Sequence, residues 1–210
     1  MKSLLIWGAG DQGTVTLDCA LASGIYDKID FLEISEKGHR EIPNHTIYSE
    51  KDMYLYELFH SYDEVIVATG NNTLREKKYL VLNSMNVPLG TIIHPTALIS
   101  PSAHVSKGCT ILANAVIHTN ASIGIGCIIN TAAIVEHDCV IEDFVNISPK
   151  AAMAGHTKIG AKTFLGIGST IIDDVKIGRS AVIGAGAVVI RDVPSEATVV
   201  GVPAKIIEQK

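Results

Sequence analysis

The residues best suited to chemistry lie at Glu136-His137-Asp138. A histidine flanked by two acids can act as a general base, because a neighbouring carboxylate orients the ring and raises its basicity. The competing reading is a solvated surface histidine. His118, His137 and His156 are spaced by nineteen residues. If the chain repeats every eighteen residues, they share one face of successive repeats. Each shifts by one along its strand, so side-chain direction alternates and the three are not expected to converge on one point. No serine or cysteine stands in a setting that suggests a nucleophile with its own base. Any transfer chemistry here would therefore be direct, with a base acting on the incoming acceptor.

A second candidate lies near the N-terminus. Gly8-Ala9-Gly10-Asp11-Gln12-Gly13 follows an apolar run from Ser3 to Trp7 and precedes a helical pattern from Thr14 to Ser23. A further strand, Ile29 to Leu32, ends at Glu33. A glycine turn between strand and helix is a phosphate cradle, with N–H groups aimed at the ligand. The bland alternative is a tight turn that binds nothing. Glu33 stands where a dinucleotide fold holds the adenine ribose. Only about ninety residues precede the next pattern, which is one mononucleotide half and suits a nucleotide-diphosphate ligand better than NAD. Glu64 to Ala68 is another buried strand, followed by Thr69-Gly70-Asn71-Asn72 and a helix with Arg75 in its first turns. Ligands of open α/β sheets sit at the C-terminal strand ends, so Gly70 to Asn72 should face the crevice of Gly10 to Gln12.

The elements that must carry His137 follow a six-residue beat. Every sixth residue from Ile99 to Val189 is aliphatic. Four residues after each aliphatic stands a small or β-branched residue, from Ala103 to Val193. Glycine directly follows the aliphatic at 124, 160, 166, 178 and 184, where it is expected to supply the backbone angles of a tight corner. This period fits a solenoid of short strands with a corner per repeat. Gly201-Val202-Pro203-Ala204-Lys205 then reads as the turn that closes the last coil. Lys205 is either a phosphate contact or a solvated lysine.

Composition narrows the classes. The chain has 210 residues, 47% hydrophobic and 5% aromatic, with a formal net charge of −5. No basic run exists to bind nucleic acid. No stretch approaches the length of a membrane span, and the N-terminal apolar run is too short for a signal-peptide core. A cytoplasmic protein is expected. Cys109 and Cys127 would stack in adjacent coils, either bridged or as reduced side chains filling small interior positions.

The motifs together resemble a known family. The six-residue beat looks like the left-handed parallel β-helix of the hexapeptide-repeat acyltransferases, with eighteen residues per coil and hence about five coils. The whole chain resembles the sialic acid O-acetyltransferase and bacillosamine-pathway (UDP-4-amino-sugar) N-acetyltransferase group, most closely over Asn130 to Pro149. The resemblance implies an α/β Rossmann-like nucleotide-sugar domain at 1–90, followed by an all-β left-handed β-helix at 91–210. It implies acetyl-CoA as co-substrate, no metal requirement, a nucleotide-sugar substrate and a homotrimer with active sites between subunits. His137 would be the general base, Asp138 the acid that raises its basicity, and Asn130 would help position the site. Asn146, Gly155, Ile167 and Ala185 would line the acetyl-CoA channel. Gly10, Asp11, Gln12, Glu33, Ile34 and Gly70 would hold the nucleotide sugar.

Within that family Gln12 and Asn146 stand where histidine is usual, and Ile34 replaces an acid of the UDP-amino-sugar enzymes. The expected reaction is N-acetylation of a UDP-linked amino sugar for surface glycans. The alternatives are O-acetylation of a sugar hydroxyl, a non-catalytic sugar-binding partner and, remotely, a dehydrogenase. A trimeric zinc site like that of the γ-class carbonic anhydrases is the other histidine chemistry on such a fold, but its ligand spacing is not reproduced.

Overall fold

Left-handed backbone recurs at one fixed place in each hexad from Gly108 to Gly186 and bends the chain. Asn120, Asp138, His156 and Asp174 all have φ between +58° and +59°, and Gly108, Gly126, Gly168 and Gly186 occupy equivalent corners. Each sits just before the small interior residue. The computed structural model describes residues 1–34, 41–51 and 54–209. The expected span 1–90 therefore includes residues 35–40 and 52–53 outside the described ones, and 91–210 includes residue 210.

Between the corners run two-residue strands, the first at Ile92–Ile93 and the last at Val188–Val189. The beat thus begins one hexad before Ile99. Strands eighteen residues apart pair in parallel, as Ile128 with Asn146 and Ile134 with Ala152. They stack into three faces. One face is an eight-stranded sheet that includes Thr110–Ile111, Ile128–Ile129 and Asn146–Ile147. A second is the six-stranded sheet that includes Ile134–Val135, and the third is the five-stranded sheet that includes Val140–Ile141 and Lys158–Ile159.

The aliphatic column fills the axis: Ile117, Ile123, Ile147 and Leu165 are fully buried. Burying such side chains contributes ~1.5–3 kcal/mol each. The small column has a further logic. The Cys109, Cys127 and Cys139 thiols donate to the carbonyls of Gly124, Glu142 and Ala154, each fifteen residues on. The Thr157 and Thr163 hydroxyls do the same to Ile172 and Gly178. A small donor at this position ties one corner to the next coil. All four cysteines are free and buried, which settles the question of a bridge against it.

The glycines after the aliphatics serve a different purpose from the one expected. None of the five has positive φ. A Cβ at Gly160 would lie 2.5 Å from the Arg179 nitrogen, and one at Gly166 2.6 Å from that of Ala185. They let coil approach coil, while the bend itself falls two residues later.

At the other end of the chain, four parallel strands form a half-Rossmann sheet. They are β1 (Lys2–Trp7), β2 (Tyr26–Glu33), β3 (Ile47–Ser49) and β4 (Glu64–Val67), in the order β3-β2-β1-β4. Helices α1 (Asp11–Ser23), α2 (Leu55–His60) and α3 (Asn72–Ser84) accompany them. The strand β3 and helix α2 had no counterpart in the sequence reading. The Asn71 side chain caps α3 by accepting from the Leu74 N–H. Such caps contribute ~1 kcal/mol. At the C-terminus, Ala197–Val200 pairs antiparallel with Lys205–Gln209, and the turn between them closes the last coil through an N–H of Ala204 donated to Val188. Lys205 is exposed on that strand.

The sheet domain seats on the eight-stranded face. Helix α1 packs on Ile92–Ile93, and Leu112 joins the N-terminal core. Arg75, 1% exposed, donates to the carbonyls of Gly126, Phe144 and Thr69 and to the Asn72 side chain. Burial lowers its pKa to about 10. The Asn72 amide donates to the Lys162 carbonyl, and Lys162 pairs with Glu76 at 2.9 Å. No helix is long and apolar enough to cross a membrane among the described residues.

Candidate active site

The glycine turn and the Thr69-Gly70 loop face each other across a crevice of about 200 Å³. Gly10, Asp11, Gln12, Glu33, Ile34 and Gly70 all line it. The glycines have separable duties. A Cβ at Gly13 would sit 2.0 Å from the Gly8 carbonyl, and one at Gly8 2.4 Å from that of Ala68, so both close the turn. A Cβ at Gly10 meets nothing within 4 Å, so this position faces open crevice. Glu33 braces the loop by accepting N–H groups from Ala9 at 2.6 Å and Ile34 at 2.9 Å. The Gln12 amide nitrogen is buried without a partner in the protein, a donor left for a ligand.

Lys78 also lines the crevice and went unrecognised in the sequence. It is 7% exposed, 3.0 Å from Glu50, and lies over the Trp7 ring. Its signal was the helical spacing Arg75–Lys78–Leu82, the buried face of α3.

His137 lies at the corner between the six-stranded and five-stranded faces. Its Nδ1 is 2.9 Å from Asp138 Oδ2. Asn120, one coil earlier, donates to Asp138 Oδ1 at 3.1 Å. Hydrogen bonds from His137 and then Asn120 hold the Asp138 carboxyl below its usual range, against a small opposing effect of desolvation. An ionised carboxylate only accepts, so Nδ1 of His137 donates and Nε2 keeps its lone pair. The side chain is 48% exposed. Asn120 was missed in the sequence, although its position eighteen residues before Asp138 was a usable signal.

Gly155 is buried directly beneath this ring. A Cβ there would lie 2.5 Å from His137 Cε1 and 2.7 Å from Nε2. The missing side chain is what lets the imidazole lie across the corner. The three histidines do not converge on one point, but two of them meet. The rings of His137 and His156 meet edge to face with centroids 5.2 Å apart. Strand alternation does not apply at a corner, where His156 takes φ of +59° and Gly155 leaves room. His118 is not part of this cluster. Gly155→Ala should leave the fold intact and displace the ring. Misplacement of about 1 Å costs ~10²-fold in rate. Turnover by Gly155→Ala at saturating substrates checks this, and wild-type turnover would refute it.

The remaining expected residues stand elsewhere in a single chain. Asn130 occupies the preceding corner, between Ile128–Ile129 and Ile134–Val135, where its Oδ1 accepts the Thr131 N–H. Ile167 and Ala185 are exposed along that same edge in later coils. Asn146 is 6% exposed on the eight-stranded face, where its amide nitrogen approaches the Gly70 carbonyl at 3.4 Å and its Oδ1 is unpartnered. A groove of about 610 Å³ lies on the five-stranded face, lined by Lys158, Lys176 and Arg179 together with Glu142 and Asp192. All four cysteines are buried, and burial pushes the Cys19 thiol up to about 12 and that of Cys139 up to about 11.

A parallel three-faced solenoid of six-residue repeats is the architecture of the left-handed β-helix acyltransferases. Residues 3–82 match the PglD N-terminal domain, and residues 156–191 match the bacterial transferase hexapeptide of six repeats. Perosamine N-acetyltransferase from Caulobacter crescentus, solved with CoA and GDP-perosamine, is 31% identical over 98% of this chain and 97% of its own, with a TM-score of 0.91. The acetyltransferase domain of PglB from Neisseria gonorrhoeae, solved with acetyl coenzyme A, is 33% identical over 98% of both chains, TM-score 0.89. WeeI from Acinetobacter baumannii is 26% identical over 98% of this chain and 99% of its own, TM-score 0.86. The chain belongs to the hexapeptide-repeat sugar acetyltransferases with a PglD-type N-terminal domain, and is an acetyl-CoA-dependent enzyme of that family.

Proposed function

We propose that the protein transfers the acetyl group of acetyl-CoA to the amine of a nucleotide-linked amino sugar, with UDP the expected nucleotide and surface glycan the destination. Residues 1–90 hold the nucleotide sugar and residues 91–210 carry out the transfer, in the cytoplasm. The observation that carries the mechanism is the His137 imidazole held by Asp138 with Nε2 free. Nε2 takes a proton from the amine as its nitrogen attacks the thioester carbonyl. The C–S bond breaks, the His137 imidazolium returns that proton to the leaving sulfur, and coenzyme A departs as the thiol. The bound amino-sugar nucleotide of the Caulobacter relative supports the acceptor class.

A homotrimer completes the site. In one chain the nucleotide crevice opens on the eight-stranded face, one side of the prism away from His137. Asn130, Ile167 and Ala185 occupy the edge beyond. If that edge of one copy packs beside the His137 corner of the next, both walls of an acetyl-CoA channel come together in a closed ring. The groove with Lys158, Lys176 and Arg179 then suits the phosphates of the coenzyme.

Complementation tests this reading. Gly10→Val puts a side chain into open crevice, its Cβ meeting nothing within 4 Å, and should abolish nucleotide-sugar binding while sparing acetyl-CoA binding. His137→Ala keeps the crevice and lacks the base. Co-assembled at equal amounts, the two inactive variants should regain about a quarter of wild-type turnover, because a shared site needs one good part from each copy. No recovery in co-purified oligomers would sink the shared site.

A further inference from the structure

The geometry points to a transition-metal site at the histidine corner: His137, Asp138 and His156 bind one divalent ion such as Zn²⁺, and the bound ion stops acetyl transfer. One donor atom from each of the three residues lies within 4.8 Å of the other two. Among the described residues no other trio of His, Cys, Asp or Glu side chains converges in this way. Zinc bonds of about 2.0–2.1 Å put tetrahedral ligands roughly 3.4 Å apart. Modest rotation of exposed rings closes the difference.

Two imidazoles and a carboxylate are a donor set that zinc uses with a fourth position open to water. The same donors favour copper, nickel and zinc over magnesium or calcium, which prefer all-oxygen shells. The corner is also built to hold such a trio. Asp138 and His156 take the same left-handed conformation one coil apart, with φ of +58° and +59°. Gly155 clears space for the His137 ring between them. The hydrogen bond from Asn120 fixes one carboxylate oxygen and leaves the other directed at the histidine. Outer partners of this kind orient metal ligands.

An ion at this site occupies a lone pair of the His137 ring, which then cannot accept a proton. No bond to substrate forms and no electron moves, so inhibition should be reversed by a chelator. Ion binding rests on the geometry alone; inhibition rests in addition on the role of His137 proposed above.

Equilibrium dialysis of the full-length protein with Zn²⁺ separates the two. The comparison variant is His156→Asn, because asparagine already occupies the equivalent corner at Asn120 with φ of +58°. Wild type should bind one more zinc ion per chain than His156→Asn, or bind it at least ~10-fold more tightly. Turnover in zinc relative to turnover in chelator should fall at least tenfold for wild type and stay near one for His156→Asn. Equal zinc binding by both proteins overturns the site. Binding that differs as expected but leaves wild-type turnover unchanged overturns the inhibition, and with it the role of His137 as base.

Discussion

His137→Ala is expected to lower turnover by ~10²–10⁴-fold, the usual worth of a positioned general base. An amine must lose a proton as it attacks a thioester, and no other described imidazole is held by a carboxylate as His137 is by Asp138. The side chain is half exposed, so its removal opens no core cavity and the protein should fold. The affinity for acetyl-CoA should hold, because a cofactor lying along the solenoid would meet the histidine only at its reactive end. Steady-state turnover, with coenzyme binding measured by calorimetry on the same preparation, tests both halves. More than half of wild-type turnover with chemistry rate-limiting would reject the base.

Arg75→Met is expected to destabilise the protein by at least ~3 kcal/mol. Two effects oppose each other. Desolvation lowers the Arg75 pKa from 12.5 to about 10, which at about 1.4 kcal/mol per unit means ~3 kcal/mol against the buried cation. Its four hydrogen bonds, at ~1.5–3 kcal/mol each for a charged donor, outweigh that. Methionine recovers the desolvation and loses the bonds, leaving the Gly126 and Phe144 carbonyls buried without a donor. The Thr69 carbonyl is released as well, so nucleotide-sugar binding should weaken. Denaturant unfolding followed through Trp7, the one tryptophan of the chain, reports on the N-terminal sheet. An unchanged midpoint would show that the solenoid and sheet do not depend on this contact.

The solenoid was legible because one burial pattern repeats with each hexad. The aliphatics of the beat from Ile111 to Val189 all point to the axis. The physical duty of the glycines was not legible. Gly160 and Gly166 follow aliphatics as if they made the bend, yet the approach of the next coil demands them. That approach exists only once eighteen-residue coils stack. Gly155 and His156 hid their meeting with His137 for a related reason, since alternation along a strand fails at a left-handed corner. The glycine turn was readable from local spacing, whereas the helical spacing of Arg75 and Lys78 gave their face but not their partners. A cation on a helix looks solvated until the solenoid carbonyls or the Trp7 ring close over it. The resemblance grouped Asn130, Ile167 and Ala185 with His137, but a single prism keeps them on separate edges, and only a second copy could unite them.

Acetyl transfer to an amine on a nucleotide-linked sugar is tested most directly by coenzyme A thiol release from acetyl-CoA, with mass analysis of the product, across a panel of acceptors: UDP-linked and GDP-linked amino sugars, the free amino sugar, the matching hydroxyl sugars, and free sialic acid. Release should require both the nucleotide and the amine, and the product should carry one acetyl group on nitrogen. Release with the hydroxyl sugars or sialic acid but not with the amino sugars would contradict the account.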